Sequence, residues 1–389
     1  MKEFEFSIPQ KVVYGAGSLS KLSEVVNELG GKKAFIISGP HLYKMGLVSK
    51  CAEAMEEAGI ACGVFADTEA NPSTDTVEKA TRMFIESDAD CIIAFGGGSP
   101  IDVAKAAAIV AKYGGDITDY EGSGTVPGSV VPIVAIPTTA GTGSEVTSFS
   151  VITDHNRNYK LTVGSDNLIP AYAILDPELI TTVPQKTAAA CGMDAMVHAI
   201  EAYISLAASP FSELFSLYAL DYIGGSIRDY VADRKNISAA ENMMLGSLFA
   251  GIAFSHARLG NVHAMSHPVS AYYDVPHGVA NAIILPIVVE FNMKADAGKY
   301  YEIYKRIAAI PCSKEQFKSE KLISEIRRLI EELGIPNNLQ AVGVDDALIN
   351  KMSEDAMKSG NIKVNPRTTE IEDIKALYKE AINIQTKVS

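Results

Sequence analysis

Five of the seven histidines in this chain fall between Cys191 and Gly278, most of them at ligand spacing from a carboxylate or from one another. In Cys191-Gly-Met-Asp194-Ala-Met-Val-His198-Ala-Ile-Glu201 the Asp194 and His198 side chains stand four residues apart and share one helix face. Asn261-Val-His263-Ala-Met-Ser-His267-Pro268 and Val275-Pro276-His277-Gly278 add two or three more imidazoles. One hard oxygen and three imidazole nitrogens suit a divalent transition metal. An isolated Asp and His one turn apart are more often a solvated surface pair. Here the flanking Ala, Met, Val and Ile residues make the helix apolar nearly all round, so a buried carboxylate must be neutralised by something. The segment reads as a metal site.

The frame that must hold it follows from length and composition. At 389 residues and 47% apolar the chain is too long for one ordinary core, and two domains are expected. A formal charge of −13 speaks against nucleic acid or an anionic membrane as partner. The five cysteines (Cys51, Cys62, Cys91, Cys191, Cys312) are scattered without a CxxC, as buried thiols in a reducing compartment are. The N-terminus, Met1-Lys-Glu-Phe-Glu-Phe-Ser-Ile-Pro, alternates like a strand and lacks the apolar core of a signal peptide. The longest apolar run, Val279 to Val289, is interrupted by Asn281 and Pro286 and is too short for a bilayer. A cytoplasmic protein with no membrane partner is expected.

Residues 1–183 read as alternating strand and helix. Strands are expected at 33–38, 61–66, 91–95 and 130–136, with helices at 47–58 and about 73–87 between them. That order argues an α/β layer architecture with helices on both faces of a sheet. From about Thr187 strand signals nearly vanish and helical patterns dominate, so residues 184–389 read as an all-α domain. Asp176-Pro177 and Val183-Pro184 punctuate the boundary.

Two loops in the first half favour phosphate. Phe95-Gly96-Gly97-Gly98-Ser99-Pro100-Ile-Asp102 follows a strand and opens an Ala-rich helix, so its open backbone and the helix N-terminus suit a pyrophosphate. It matches neither GxGxxG nor a Walker A loop, and a glycine run is as often a plain turn. Pro137-Thr138-Thr139-Ala-Gly-Thr142-Gly-Ser144-Glu-Val-Thr147 again follows an apolar strand and adds small hydroxyls. Two such loops at strand ends of one sheet suggest a dinucleotide crevice.

Together the Gly96–Asp102 and Pro137–Ser144 motifs, Gly192-Met-Asp194 with His198, His263-Ala-Met-Ser-His267-Pro268 and Pro276-His277-Gly278 resemble the iron-containing (group III) alcohol dehydrogenases. The resemblance covers essentially the whole chain. It implies a Rossmann-like α/β cofactor domain, an all-helical metal and substrate domain, and a cleft between them for cofactor and metal. It also implies a homo-oligomer, a small alcohol, aldehyde or diol as substrate, and Asp194, His198, His263 and His277 as ligands. His267 matches a family histidine near the nicotinamide that is not a ligand, and Asn71, Ser99, Thr138, Thr139, Thr147 and Lys160 match cofactor-contacting positions. Phe149, Val151 and Phe254, with His267, match pocket walls.

The chemistry expected of such a site is hydride exchange between a nicotinamide and a C–OH carbon, with the metal lowering the hydroxyl pKa and His267 relaying the proton. Four protein ligands would complete a tetrahedral zinc and leave no place for substrate, so an ion accepting five or six ligands is expected. Fe(II) suits this, with zinc left open. NAD-using members of the family place an Asp where this chain has Gly39, after the strand 33–38. Its loss removes a repulsion of the 2′-phosphate, and NADP(H) is favoured over NAD(H). Two alternatives remain: a dehydroquinate synthase-like or glycerol dehydrogenase-like member of the same superfamily, and a non-enzymatic metal-binding or structural protein.

Overall fold

Runs such as Lys-Ala-Phe-Ile-Ile-Ser and Cys-Ile-Ile-Ala-Phe-Gly are apolar at nearly every position, which a strand tolerates only when both its faces are covered. The computed structural model, which describes residues 3–383, covers both. In chain order Ser7–Thr182 holds β1 (Lys11–Tyr14), α1 (Leu22–Glu28), β2 (Lys33–Ser38), α2 (Pro40–Lys44), α3 (Leu47–Glu57), β3 (Ala61–Phe65), α4 (Thr74–Ser87), β4 (Cys91–Gly96), α5 (Gly98–Tyr113), β5 (Gly122–Ser123), β6 (Ile133–Pro137), β7 (Phe149–Asp154), β8 (Tyr159–Gly164) and β9 (Tyr172–Leu175). Among the described residues one parallel sheet runs β1-β9-β6-β4-β2-β3. Alternate residues go to opposite faces: Phe35, Ile37, Ile92 and Ala94 join one core with α5, while Ile36, Ile93 and Phe95 join another with α1 and α3. Strand order reverses between β2 and β4, so the loops that leave their carboxyl ends, carrying Gly39 and Gly96–Gly98, flank the switch point.

The second unit gathers residues from Val183 onward as α6 (Gln185–Ile204), α7 (Pro210–Ala232), α8 (Ile237–Ala257), α9 (Asn261–Tyr273), α10 (His277–Asn292), α11 (Lys299–Ile307), α12 (Ser319–Glu332), α13 (Ile349–Lys358) and α14 (Ile371–Ile382). No strand occurs in it among the described residues. The α/β and all-α division of the fold is therefore as the sequence suggests.

Two local expectations change. Residues 3–10 form no strand, and Met1 and Lys2 lie outside the described residues. Residues 3–6 belong instead with the helical unit, because the Phe6 ring stacks on Phe211 at 4.7 Å and meets His256 at 4.5 Å. The stretch after the second glycine loop folds as an antiparallel pair, β7 with β8, in a small separate sheet with β5 rather than as strand and helix in alternation. The helix that carries His263 does not end at Pro268 but runs through it to Tyr273, and α10 likewise runs through Pro286. Burial against neighbouring helices outweighs the lost backbone bond, and the Tyr378 hydroxyl donates to the Met265 carbonyl at 2.6 Å beside the proline. Ile237–Ala257 and His277–Ala295 are consequently long and apolar enough to cross a membrane, but each is mostly buried inside the protein, as core helices are.

Candidate active site

Three helices carry the polar centre of the helical unit. On α6, Asp194, His198 and Glu201 follow at one-turn intervals on one face and are all at least nine-tenths buried. His263 lies in the first turn of α9, and His277 opens α10. Gly278 is what lets α10 start there. A β-carbon at this position would lie 2.2 Å from the Ala190 carbonyl oxygen on α6, so only glycine lets the two backbones meet.

The Nε2 atoms of His198, His263 and His277 stand 3.8, 3.7 and 3.9 Å from one oxygen, Asp194 Oδ1. Ligand atoms of Asp194, His263 and His277 all lie within 4.8 Å of one another, close enough to share an ion, whereas His198 falls outside that mutual distance. The His198 ring is held between Phe254 and His263, with centroids 4.4 and 4.6 Å away. Phe254, expected as a pocket wall, thus stacks on the His198 ring. Burial alone would raise the Asp194 carboxyl, but His198, His263 and His277 around it hold it well below the usual range. Burial lowers His263, yet the Asp194 and Glu201 carboxylates outweigh this and raise it to about 9. Asn281 Nδ2 donates to Asp194 Oδ1 at 2.6 Å and lies 3.1 Å from both His263 Nε2 and His277 Nε2. Its own Oδ1 is buried without a hydrogen-bond partner. A negative, pre-shaped cluster with an orphaned oxygen beside it fits a bound cation.

Glu201 and Asn281 are the polar residues that sequence reasoning did not assign. The signals were present: Glu201 lies seven residues from Asp194 on the same face, and Asn281 is a polar residue in an apolar helix, four from His277. His267 sits one turn beyond His263, partly buried, with its ring 5.2 Å from that of His277.

In the sheet unit the two glycine- and threonine-rich loops come together because Gly96 and Pro137 pair in register at the ends of β4 and β6. Thr138 N donates to the Gly96 carbonyl at 2.9 Å. Gly97 and Gly98 lie against Thr139 and Thr142; a β-carbon on Gly98 would sit 2.7 Å from Thr142 Cγ2. These glycines therefore serve loop packing as well as an open backbone. Ser99 falls in the first turn of α5. Lys160 Nζ donates to Asn71 Oδ1 at 2.6 Å, which joins two of the expected cofactor contacts, and Gly39 caps α2 with extended backbone.

Asp102 and Thr147 bond within the sheet unit. Asp102 accepts from Ser144 Oγ at 2.6 Å and from Val151 N at 3.2 Å, and Thr147 accepts from Lys105 Nζ through both its carbonyl and its hydroxyl. Both hold the second loop onto α5, a role a single sequence cannot distinguish from cofactor contact. Lys105, not singled out before, is fully buried at the centre of this arrangement. Burial lowers it to about 8 against the attraction of Asp102 and Glu145. Burial pushes the Cys51 and Cys91 thiols up to about 12, which leaves them unreactive.

Residues 9–177 match the family described as iron-containing alcohol dehydrogenase, and residues 188–382 match the C-terminal domain of the Fe-containing alcohol dehydrogenase family. The chain is 38% identical to 1,3-propanediol dehydrogenase of Klebsiella pneumoniae, over 97% of this chain and 98% of that protein. It is 35% identical to NAD-dependent methanol dehydrogenase of Bacillus methanolicus (97% and 99% covered) and 36% to NADPH-dependent butanol dehydrogenase of Clostridium saccharobutylicum (96% and 97%). A crystal structure of 1,3-propanediol oxidoreductase superimposes with a TM-score of 0.94 at 37% identity, covering 98% of this chain and all of that one. The chain belongs to the iron-containing alcohol dehydrogenase family and is an oxidoreductase of alcohols.

Proposed function

We propose that this NAD(P)-dependent enzyme interconverts short aliphatic alcohols or diols and their aldehydes, with Asp194, His198, His263 and His277 holding Fe(II) and NADP(H) used in preference to NAD(H). The observation that carries the reading is the convergence of three imidazole nitrogens on one buried carboxylate oxygen at 3.7–3.9 Å. Fe(II) in that donor set supplies Lewis acidity, which polarises a carbonyl oxygen and lowers the pKa of an alcohol hydroxyl. Zn(II) accepts the same donors and competes for the site in a purified sample. Asp194 contributes the negative charge that makes the set selective for a cation, and the three rings leave the ion a net positive charge with which to act. His267 takes up and releases the substrate proton through its ring nitrogens, since imidazole changes charge near neutral pH. Gly96, Gly97, Gly98, Ser99, Thr138, Thr139 and Thr142 hold the cofactor pyrophosphate and nicotinamide side, and the Lys160–Asn71 pair contributes further polar contacts.

NADP(H) preference rests on Gly39. It has no carboxylate to repel a 2′-phosphate, and the Ser38 hydroxyl beside it is buried without a hydrogen-bond partner. A β-carbon at Gly39 would lie 3.1 Å from the Thr68 carbonyl oxygen, tight but accommodated by a small shift, so Gly39→Asp is a usable probe. The ratio of kcat/KM for NADPH over NADH is expected above one in the wild type and about tenfold lower in the variant, the scale of one lost or gained charge contact. A tenfold wild-type preference for NADH, or a ratio unmoved by the substitution, overturns the assignment.

A homo-oligomer is supported by α7, which exposes Phe211, Leu214 and Tyr218 at helical spacing. The acidic charge and the scattered cysteines without a CxxC support a cytoplasmic protein with no nucleic-acid or membrane partner. The deciding experiment is loss of absorbance at 340 nm when protein, Fe(II) and NADPH meet a panel of C2 to C6 aldehydes. Turnover with short aldehydes is expected; a clear preference for carboxylated substrates, or no turnover with any metal, rejects the reading.

A further inference from the structure

We propose that Glu201 is the positioning residue of the metal centre, acting through His263 to fix which ring nitrogen faces Asp194. The inference rests on the metal reading above. Glu201 and His263 are 3% and 1% exposed, so neither exchanges its partner for water. Glu201 Oε2 lies 2.6 Å from His263 Nδ1, and Oε1 accepts from the Val262 backbone N–H at 2.7 Å. A ring that donates from Nδ1 keeps its Nε2 lone pair for the ion, which is the side that faces Asp194 Oδ1.

The same carboxylate starts the helix. No side chain caps α9 at Gly260, and a β-carbon there would lie 2.9 Å from Glu201 Oε1. The Glu201 carboxylate stands in the place of a cap and meets the donors of the first turn. Val262 N–H thus falls on Oε1 while His263 N–H, at 3.4 Å, and His263 Nδ1–H fall on Oε2, and only a carboxylate offers an acceptor on both sides. A glutamine has one acceptor oxygen. If that oxygen keeps the backbone N–H, its NH₂ faces Nδ1, the ring moves its hydrogen to Nε2, and the ion loses a ligand. The residue type at 201 is therefore set by chemistry and not by shape, since Gln is nearly isosteric with Glu.

The test measures Zn(II) affinity by chelator competition in the wild type and in Glu201→Gln, together with proton NMR of the Zn(II)-loaded wild type carrying ¹⁵N-histidine. Affinity is expected to fall about ten- to hundred-fold in the variant, the usual effect of removing a partner that orients a ligand. The wild type is expected to show a downfield His263 Nδ1 proton protected from exchange, a signature that a helix-capping role alone does not produce. A variant that binds Zn(II) as tightly as the wild type overturns the proposal. So does the lack of a protected proton in the wild type, a measurement that stands even where the variant fails to fold. Failure of the wild type to bind Zn(II) at all rejects the metal reading itself, which separates the two outcomes.

Discussion

In the helical unit the atoms proposed to bind metal belong to side chains, Asp194 Oδ1 and three imidazole nitrogens on three helices, with the buried polar groups Glu201 and Asn281 bonded to them. In the sheet unit the surface proposed for the cofactor is made of glycine backbone and small hydroxyls at strand ends, and the buried Asp102 and Lys105 of α5 hold the second loop in place from behind. The first design concentrates the function in a few atoms; the second spreads it over a backbone shape. A substitution is therefore expected to be all-or-none in one unit and graded in the other.

The sharpest way to break this contrast is His277→Ala. Removing one ligand is expected to strip bound iron and lower turnover on the order of a thousand-fold, the loss of several kcal/mol of charge stabilisation. Binding of reduced cofactor, followed by nicotinamide fluorescence, is expected to be unchanged. A variant with stoichiometric iron and wild-type turnover would remove His277 from the ligand set.

Lys105→Met asks the complementary question of the sheet unit. The ammonium is fully buried and donates to the Thr147 and Phe149 carbonyls at 2.8 Å each. Its removal leaves Asp102 and Glu145 without their cation, a loss of about 3–5 kcal/mol read by urea unfolding. Iron content per folded molecule is expected to stay the same. If iron is lost in proportion to stability, the two units are not separable in the way the comparison holds.

A pH series sharpens the metal side. In protein stripped by a chelator the His263 pKa is raised from 6.5 to about 9, so its protonated form favours folding. That contribution is fully present below pH 6.5 and is lost as pH rises through about 9, on the order of a few kcal/mol. Iron replaces the proton in loaded protein, so the Tm difference between loaded and stripped forms is expected to widen from pH 6.5 to 9. A difference that is flat over this window would mean that His263 does not change protonation on metal loss.

The smallest effect is expected from Gly98→Ala. Its new methyl would meet Thr142 at 2.7 Å, and relieving that overlap costs about 1–3 kcal/mol. This is expected to appear as weaker cofactor binding with iron content unchanged. No effect on KM for the cofactor would show that the glycine loop serves packing alone.

Much of this was legible in the chain. Lys33–Ser38 is bounded in the structure as its apolar run and the Gly39-Pro40 stop suggest, because a strand buried on both faces leaves a plain signature. Asp194 and His198 announced themselves because two polar residues at helical spacing in an apolar helix need a partner. The β7–β8 pair was not legible, since antiparallel pairing depends on a partner strand and not on one strand's own composition. Nor was the passage of α9 and α10 through Pro268 and Pro286. Proline's local cost is visible in sequence, whereas the burial that overrides it is not.

The division between sequence and tertiary structure follows from range. Residue types and their spacing pointed to a candidate cation-binding set, placed a strand–glycine–helix unit before it, and divided the chain into sheet and helical parts. These are local quantities, set within one or two turns. Which oxygen the three rings approach, that Glu201 and Asn281 lie beside them, and that Asp102 on α5 and Thr147 in the second loop fasten that loop to the helix were decided only by tertiary packing. Each of those contacts joins residues brought together by the crossing of separate elements, and close approaches such as Gly278 against Ala190 set their distances.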